Sequence, residues 1–467
     1  MNGKNNLDLT KGSIQKNILL FALPLLGSSL IQQLYNTVDL LFVGNWLGKN
    51  AYAAVGASSL IVTCLVGFFT GMSVGANVVI AQAIGLDSRK KIQDSVHTAV
   101  GLSLVGGSIL MIIGLLGAPC FLRWMNTEPE ILQEAAAYLR IYFLSLISII
   151  LYNMISGILR AMGNSRVPMM IQLIGGIVNV AADAILIGSF RTVEAAAWAT
   201  MVSQTLAAAL ALAYLAKRGE KCMVHWKKIR ISPGILKEII KVGIPSGTQN
   251  LVITLSNIFA QYHINSLGVD SIGAFTTYFK VELLLYYPIV ALGQAMTTFT
   301  GQNMGAGEPE RVKKGVRICI TMGILLTATT AALLLLSGRP VFRLFNGDEN
   351  VLTNGLKVIF ITFPFYWLYV ILEVLADTIR GAGKAIMPML IILGNICLLR
   401  TVLLFAIMSQ WKDIRGIAVT YPITWLATAV CMSVYYKKGS WLKRSGIPGD
   451  GVDQQLEKPL FSAKKTT

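Results

Sequence analysis

Residues 158–171 read ILRAMGNSRVPMMI, and residues 378–391 read TIRGAGKAIMPMLI. Arg160, Gly163, Pro168, Met169 and Ile171 thus recur as Arg380, Gly383, Pro388, Met389 and Ile391. The same offset, about 220 residues, carries Asn45, Leu47 and Gly48 onto Asn265, Leu267 and Gly268, Ala54 onto Ala274, and Gln82 and Gly85 onto Gln302 and Gly305. Pro24 returns as Pro245, with one residue extra. Self-similarity at a fixed period marks a repeated structural unit. The chain is therefore a duplicated unit with a short tail, and the positions where the copies differ point to function.

Composition decides the solvent of that unit. The chain is 54% hydrophobic and only 13% charged, with a mean hydropathy of +0.62, whereas soluble domains carry roughly 25% charged residues. Runs long enough to cross about 30 Å of hydrocarbon as helices fall near 16–43, 51–83, 93–119, 131–159, 167–188 and 194–216. Six more fall near 236–262, 271–300, 315–337, 352–379, 385–409 and 414–436. The expected fold is an all-α integral membrane protein of twelve transmembrane helices in two homologous six-helix bundles. An even number of spans per copy makes these parallel repeats, related by a pseudo-two-fold axis along the membrane normal. The expected divisions are an N-terminal segment at 1–15, an N-lobe at 16–216, a basic linker at 217–235, a C-lobe at 236–437 and a tail at 438–467.

The formal charge of +17 would suit nucleic acid, but its distribution argues against that partner. Arg89, Lys90, Lys91, Arg160, Arg166 and the linker cations from Lys217 to Arg230 fall on one side of the expected topology. So do Arg311, Lys313, Lys314, Arg317, Arg380, Lys384 and the start of the tail. This is the positive-inside bias, and it places both termini in the cytoplasm of a multi-pass protein of the cytoplasmic membrane. The six cysteines are scattered, with neither a CxxC nor a histidine at zinc spacing. No cofactor is implied.

Ionisable groups at membrane depth are costly and default to functional candidates. Helix 1 carries Gln32, Tyr35, Asn36 and Asp39 as one polar stripe, and helix 5 carries Gln172, Asn179 and Asp183. Each Asp lies about 15 residues beyond a proline, Pro24 or Pro168, so both reach roughly 22 Å further along parallel helices. Thr200, on the returning helix 6, falls near that level. Two carboxylates, an Asn amide and a Thr hydroxyl form an all-oxygen set for a hard cation such as Na⁺, or a pair able to share a proton. The second copy has Phe259 or Ala260 opposite Asp39, and Leu403 or a neighbour opposite Asp183. It carries other charges instead: Lys280 and Glu282 on helix 8, Glu373 and Asp377 on helix 10, and Arg400 on helix 11. Pairing of Asp377 or Glu373 with Arg380, and of Glu282 with Lys280 or Arg400, is the structural expectation for these, and an inner gate or a direct role in transport is the alternative. Tyr35, Tyr152, Tyr278, Tyr286, Tyr287, Tyr366 and Tyr369 supply aromatic faces suited to packing or to cationic guests. Pro24 removes a helix hydrogen bond inside an apolar run, which makes it a candidate hinge.

These residues resemble the multidrug and toxic compound extrusion family. The likeness covers about residues 10–440 and rests on YNTVDLLFVG, LRAMGNSRVPM, NVAAD, AAAWATMVSQ, FKVELLLYYPIVALGQAMTTFTGQNMGAGE and GIAVTYPITW. The resemblance implies export of organic cations and amphipathic drugs in exchange for Na⁺ or H⁺ by rocking of two lobes. Pro24, Asp39, Asn179, Asp183 and Thr200 match the amino-terminal-lobe cation site of one branch. A second branch places acids on helices 7 and 10, where this chain has Gln249, Asn250 and Tyr369. The loop GSFRTVE between helices 5 and 6 is short for the family.

Two other readings compete. A lipid-linked oligosaccharide flippase of the same superfamily would hold a pyrophosphate in a strongly basic cavity, and the membrane interior here offers only Lys280 and Arg400. A membrane-embedded transferase would show loop acids for Mg²⁺ or a histidine base beside a nucleophile. His97, His225 and His263 have no such spacing, so no enzyme is expected. One chain with two lobes makes a complete translocation unit, and a monomer in the lipid bilayer is the simplest assembly.

Overall fold

The computed structural model describes residues 6–125, 127–218, 222–225 and 229–442. Six long helices build the first copy: α1 (Ile14–Leu47), α2 (Lys49–Gly85), α3 (Arg89–Trp124), α4 (Pro129–Ala161), α5 (Arg166–Phe190) and α6 (Val193–Arg218). The second follows the same order: α7 (Pro233–Asn265), α8 (Val269–Gly305), α9 (Pro309–Leu336), a short α10 (Gly338–Arg343), α11 (Glu349–Thr362), α12 (Trp367–Gly381), α13 (Ile386–Ile392), α14 (Arg400–Gln410) and α15 (Ile414–Lys437). Among the described residues ten helices are long and apolar enough to span a bilayer. The pair α11 and α12 makes an eleventh span, bent by 52°. The more polar α7, 33 residues long, completes twelve by length.

Punctuation in the sequence sets these bounds, and it repeats with the copies. The opening motif is a helix stop. After α4, Gly163 N–H bonds to Arg160 O at 2.8 Å and Asn164 N–H to Leu159 O at 3.0 Å; after α12, Gly383 N–H and Lys384 N–H bond to Arg380 O and Ile379 O at 2.8 and 3.2 Å. Gly163 and Gly383 hold φ of +79° and +85°, a conformation open to glycine without penalty. Gly48, at +86°, is the single residue between α1 and α2, and Gly268, at +89°, closes the three-residue turn between α7 and α8. Ser13, Ser88, Asp348 and Asp413 cap α1, α3, α11 and α15 with their side chains.

Three features depart from the expected spans. The tenth is broken where Phe363–Phe365 form a 3₁₀ turn, because Pro364 has no N–H to donate and restrains Phe363. The eleventh contains a π-helical stretch, Leu393–Leu399, which shifts the side-chain register of everything beyond it. The linker is shorter than 217–235: α6 continues to Arg218 and α7 starts at Pro233, with proline in its first turn. Much of the expected tail, 443–467, lies outside the described residues. Pro24 and Pro245 sit inside α1 and α7, which run unbroken through them.

The lobes meet along α2, α7, α8 and α1. Glycines permit backbone contact there: a Cβ on Gly71 would stand 2.2 Å from Gly247 N, and one on Gly75 2.4 Å from Ile239 O. Ile18, Phe21 and Leu25 of α1 belong to the apolar core of the C-lobe, so the first turns of the N-lobe are held by the other lobe. The segment before α1 crosses the same seam. Leu9 is buried, its N–H donates to Gln302 Oε1 at 3.1 Å, and its carbonyl accepts from Asn303 Nδ2 at 3.2 Å. Arg311 Nη2 donates to Lys11 O and Gly12 O at 3.0 and 2.9 Å. On the N-lobe side Leu7 N–H donates to Gly163 O at 3.1 Å. Residues 6–12 therefore form a strap over the end where the lobes are closed.

Candidate functional site

The inner faces of α1, α4, α5 and α6, with Val66 and Thr70 of α2 and Gln294 of α8, line a cavity of about 130 Å³ that opens to solvent. On α1 the lining residues are Leu25, Ser28, Ser29, Gln32 and Tyr35, one face at helical spacing. The Tyr35 phenol lies within reach of Gln172, Gln32 and Gln204. Across from it, Tyr152 donates to Pro168 O at 3.0 Å. At one end of the cavity, Arg160 Nη1 donates to Gln294 Oε1 at 3.2 Å and Nη2 to Ser73 Oγ at 3.4 Å. Asn36, expected in this cavity, is exposed and does not line it.

The carboxylates lie beyond Tyr35 and outside the cavity lining. Gly27 of α1 faces Met169 of α5, Gly176 faces Ile31 and Tyr35, and Gly188 faces Trp46. This parallel register brings Asp39 level with Asp183, and the two are close enough for their charges to repel. On α6, Ser203 and Ala207 face Gly175, so the antiparallel register sets Thr200 level with Asn179. Among the described residues, Asp39 Oδ1, both Asp183 oxygens and both amide atoms of Asn179 are buried without a hydrogen-bond partner. Such groups are expensive to leave unpaired. A set of carboxylate and amide oxygens with free valences fits a hard cation or a shared proton.

Tyr138 and Tyr142 of α4 complete this neighbourhood and were not foreseen. Their rings stack at 6.3 Å; Tyr138 feels the charges of Asp39 and Asp183, and Tyr142 that of Asp39. The signal was present in the sequence: Tyr138, Tyr142, Ser145, Tyr152, Ser156 and Arg160 recur at helical spacing on one face of α4.

The second copy fills the equivalent interior. Glu282 accepts hydrogen bonds from Tyr366 at 2.9 Å and Tyr278 at 3.2 Å. The expected ion pair of Glu282 with Lys280 or Arg400 does not form within 4.0 Å among the described residues. Lys280 is exposed, with its Nζ 5.7 Å from the Phe345 ring centroid, because helix positions two apart diverge by about 200°. Arg400 stacks on Tyr421 at 4.5 Å and donates to Thr424 Oγ1 at 3.4 Å, while its Nε has no hydrogen-bond partner. Asp377 pairs with Arg380, which also donates to Gln249 Oε1 at 3.1 Å. Glu373 is half-buried one turn away, beside Gly293. Tyr286, Tyr366 and Tyr369 join Trp425 in an aromatic cluster, which packs this lobe where the N-lobe is hollow.

A duplicated helical bundle with a polar cavity and unpaired acids at membrane depth defines a multi-pass membrane transporter and not an enzyme. Comparison with known proteins gives the family: the model described as MatE matches residues 24–185 and again residues 245–406, and the chain belongs to that family. The doubled match falls on the two copies read from the sequence. The probable multidrug resistance protein YoeA of Bacillus subtilis (strain 168) is 26% identical over 439 residues, covering 92% of this chain and 94% of that protein. The probable multidrug resistance protein NorM of Thermotoga maritima is 25% identical over 447 residues, covering 94% and 96%. A solved structure described as the outward-facing conformation of a multidrug resistance MATE family transporter superposes with a TM-score of 0.88, at 22% identity, over 95% of this chain and 100% of that one. That likeness concerns the fold.

Proposed function

We propose that this chain is a secondary multidrug efflux antiporter, which exports organic cations and amphipathic drugs across the cytoplasmic membrane in exchange for Na⁺ or H⁺. The strapped end of the lobes, with its clustered Lys and Arg, is the cytoplasmic face. Both termini lie on that side, and the protein acts as a monomer. Asp39, Asn179, Asp183 and Thr200 form the coupling site, and the cavity around Gln32, Tyr35 and Gln172 takes the drug. The observation that carries this reading is the group of buried, unpartnered oxygens on Asp39, Asn179 and Asp183. A cation or proton arriving there stabilises the N-lobe in one arrangement, and alternation follows if that arrangement disfavours the drug. Pro24, on the helix that carries Asp39, is the bending point.

Ethidium efflux from proteoliposomes tests this. A Na⁺ gradient or a pH gradient drives efflux in the wild type, and Asp39→Asn or Asp183→Asn abolishes it. Efflux that survives both substitutions with its ion dependence intact removes the coupling site from the N-lobe; no ethidium movement under either gradient removes drug export.

A further inference from the structure

The segment between α6 and α7 is fastened to the N-lobe, and a histidine sits at the fastening. Cys222 and Val224 are buried in the apolar core of that lobe, with Ile92 and Val96 of α3 and Ile239 of α7. Further along, Ile229 and Ile231 lie over Gly101, Arg230 pairs with Asp94 at 2.9 Å, and Ser232 N–H donates to Thr98 Oγ1 at 3.1 Å. Among these contacts stands His97, buried on α3. Its Nδ1 is 2.7 Å from Gln93 O, and its Nε2 is 3.1 Å from His225 N. A carbonyl oxygen only accepts and a backbone N–H only donates. Nδ1 therefore carries the proton and Nε2 is bare, so the docked linker requires a neutral ring in one tautomer.

A proton added to Nε2 would face the His225 N–H, donor against donor, and the linker would lose that anchor. The charges around the ring are otherwise committed or turned outward. The His225 ring stacks on that of His97 at 6.3 Å, with 17° between their planes, so a charge on one opposes a charge on the other. On α3, Asp94 is held by Arg230, Lys91 pairs with Glu238 of α7 at 2.9 Å, and Arg89 and Lys90 are exposed. Lys237 and Lys241 of α7 are exposed as well. Of the other helices packed on α3, α2 carries no charged residue over 70–85, and α4 carries Tyr142, Tyr152 and Arg160 over 142–161. Arg160 faces Gln294 and Ser73. Lys227 and Lys228 lie outside the described residues. We propose that His97 is a proton sensor: its neutral ring fastens the linker, and with it the start of α7, to the N-lobe, and its protonation releases both. The docked linker holds one proton fewer than the released one, so docking weakens as pH falls. Release frees α7 from α3 at the end of the molecule where the lobes are closed.

Amide exchange of residues 222–225 and 229–232, corrected for intrinsic rates, tests this on the full-length protein in phosphatidylcholine nanodiscs. It is compared at pH about 8 and about 5.5, across the range where histidine changes charge. Both faces meet one pH in a nanodisc, so the result is independent of drug export and of sidedness. In the wild type, protection of the linker falls at least tenfold at the lower pH while residues 150–158 of α4 keep theirs. His97→Gln, neutral throughout, removes the response, and His225→Gln retains it because position 225 contributes its backbone N–H. Equal linker protection at both pH values overturns the inference, and so does a response that survives His97→Gln or vanishes in His225→Gln. Nitrogen NMR of labelled histidine needs no change at position 97. The chain has three histidines, and the one left after His225→Gln and His263→Gln is the Nδ1–H tautomer at the higher pH. An Nε2–H tautomer there overturns the inference by itself.

Discussion

Replacing Gly85 by alanine probes how the lobes close. Gly85 ends α2 against α8, where an added Cβ would stand 2.0 Å from Gln302 O; Gly305 ends α8 against α2, with the equivalent distance to Gln82 O of 2.2 Å. Observed Cβ contacts are essentially never under 3.0 Å, so the helix ends must part by about 1 Å to accept the methyl group. Parting pulls on three hydrogen bonds at this seam: Leu9 N–H to Gln302 Oε1 at 3.1 Å, Gln302 Nε2 to Ala161 O at 2.7 Å, and Gln82 Nε2 to Gly381 O at 3.0 Å. At about 1 kcal/mol net for each bond, with about 1–2 kcal/mol of overpacking, the closed arrangement loses about 4–5 kcal/mol. The ratio of closed to parted lobes then falls on the order of a thousandfold. Spin labels at Lys90→Cys and Lys314→Cys, both exposed near this end, read the change as a distance distribution in a variant freed of its native cysteines. Gly85→Ala adds a longer-distance population. A distribution and melting temperature identical to those of the parent would refute the claim that backbone contact holds the lobes shut.

Asp377→Asn takes the paired carboxylate from the buried Arg380, and thermal unfolding should show a loss of about 3–5 kcal/mol; melting unchanged from the wild type would mean the pair is not structural. Tyr366→Phe removes the shorter hydrogen bond to Glu282 and costs about 1–3 kcal/mol, measured in the same way. Gly163→Ala meets both a φ of +79° and Leu7 O at 2.0 Å, so it dislodges the strap. Amide exchange in residues 6–12 accelerates at least tenfold, and unchanged protection there rejects the contact. At the start of α15, the Arg415 side chain holds the Asp413 carboxyl below its ordinary range. Its capping contribution is therefore complete above the unfolded-state value and lost as pH falls through the lowered one. Asp413→Ala should cost about 1 kcal/mol at neutral pH and nothing once the carboxyl is protonated, as denaturation at the two pH values will show.

The repeat made most of the fold legible, because the signals that duplicate are local. Gly163 and Gly383 stop helices by backbone geometry, and Gly48 and Gly268 turn them, so their positions mark boundaries without reference to anything distant. The breaks in the tenth and eleventh spans exist in one copy, where the offset gives no second reading; Pro364 was visible in the sequence, but the π-helical stretch depends on packing. At the site, periodicity put Gln32, Tyr35 and Asp39 on one stripe of α1, and the structure lines the cavity with the first two and sets Asp39 beyond it. Tyr138 and Tyr142 carry no formal charge, and α4 presents its polar face as tyrosine and serine, so a search for ionisable groups at membrane depth does not mark it. Which of several neighbouring charges pair is a matter of side-chain direction. Spacing along the helices could bring Glu282 near a cation, but not show that tyrosine hydroxyls reach it first.

The strap also orders events in the life of the chain. Leu9 and its acceptor Gln302 are 293 residues apart, and at about 5–20 residues per second the ribosome needs about 15–60 s to supply the second after the first. During that interval the opening segment has no completed seat, because Asn303 and Arg311 are also still unmade. The strap is thus made long before its seat and docks only after it. Its protection from exchange in pulse-labelled chains should serve as a clock for the moment at which the two halves meet.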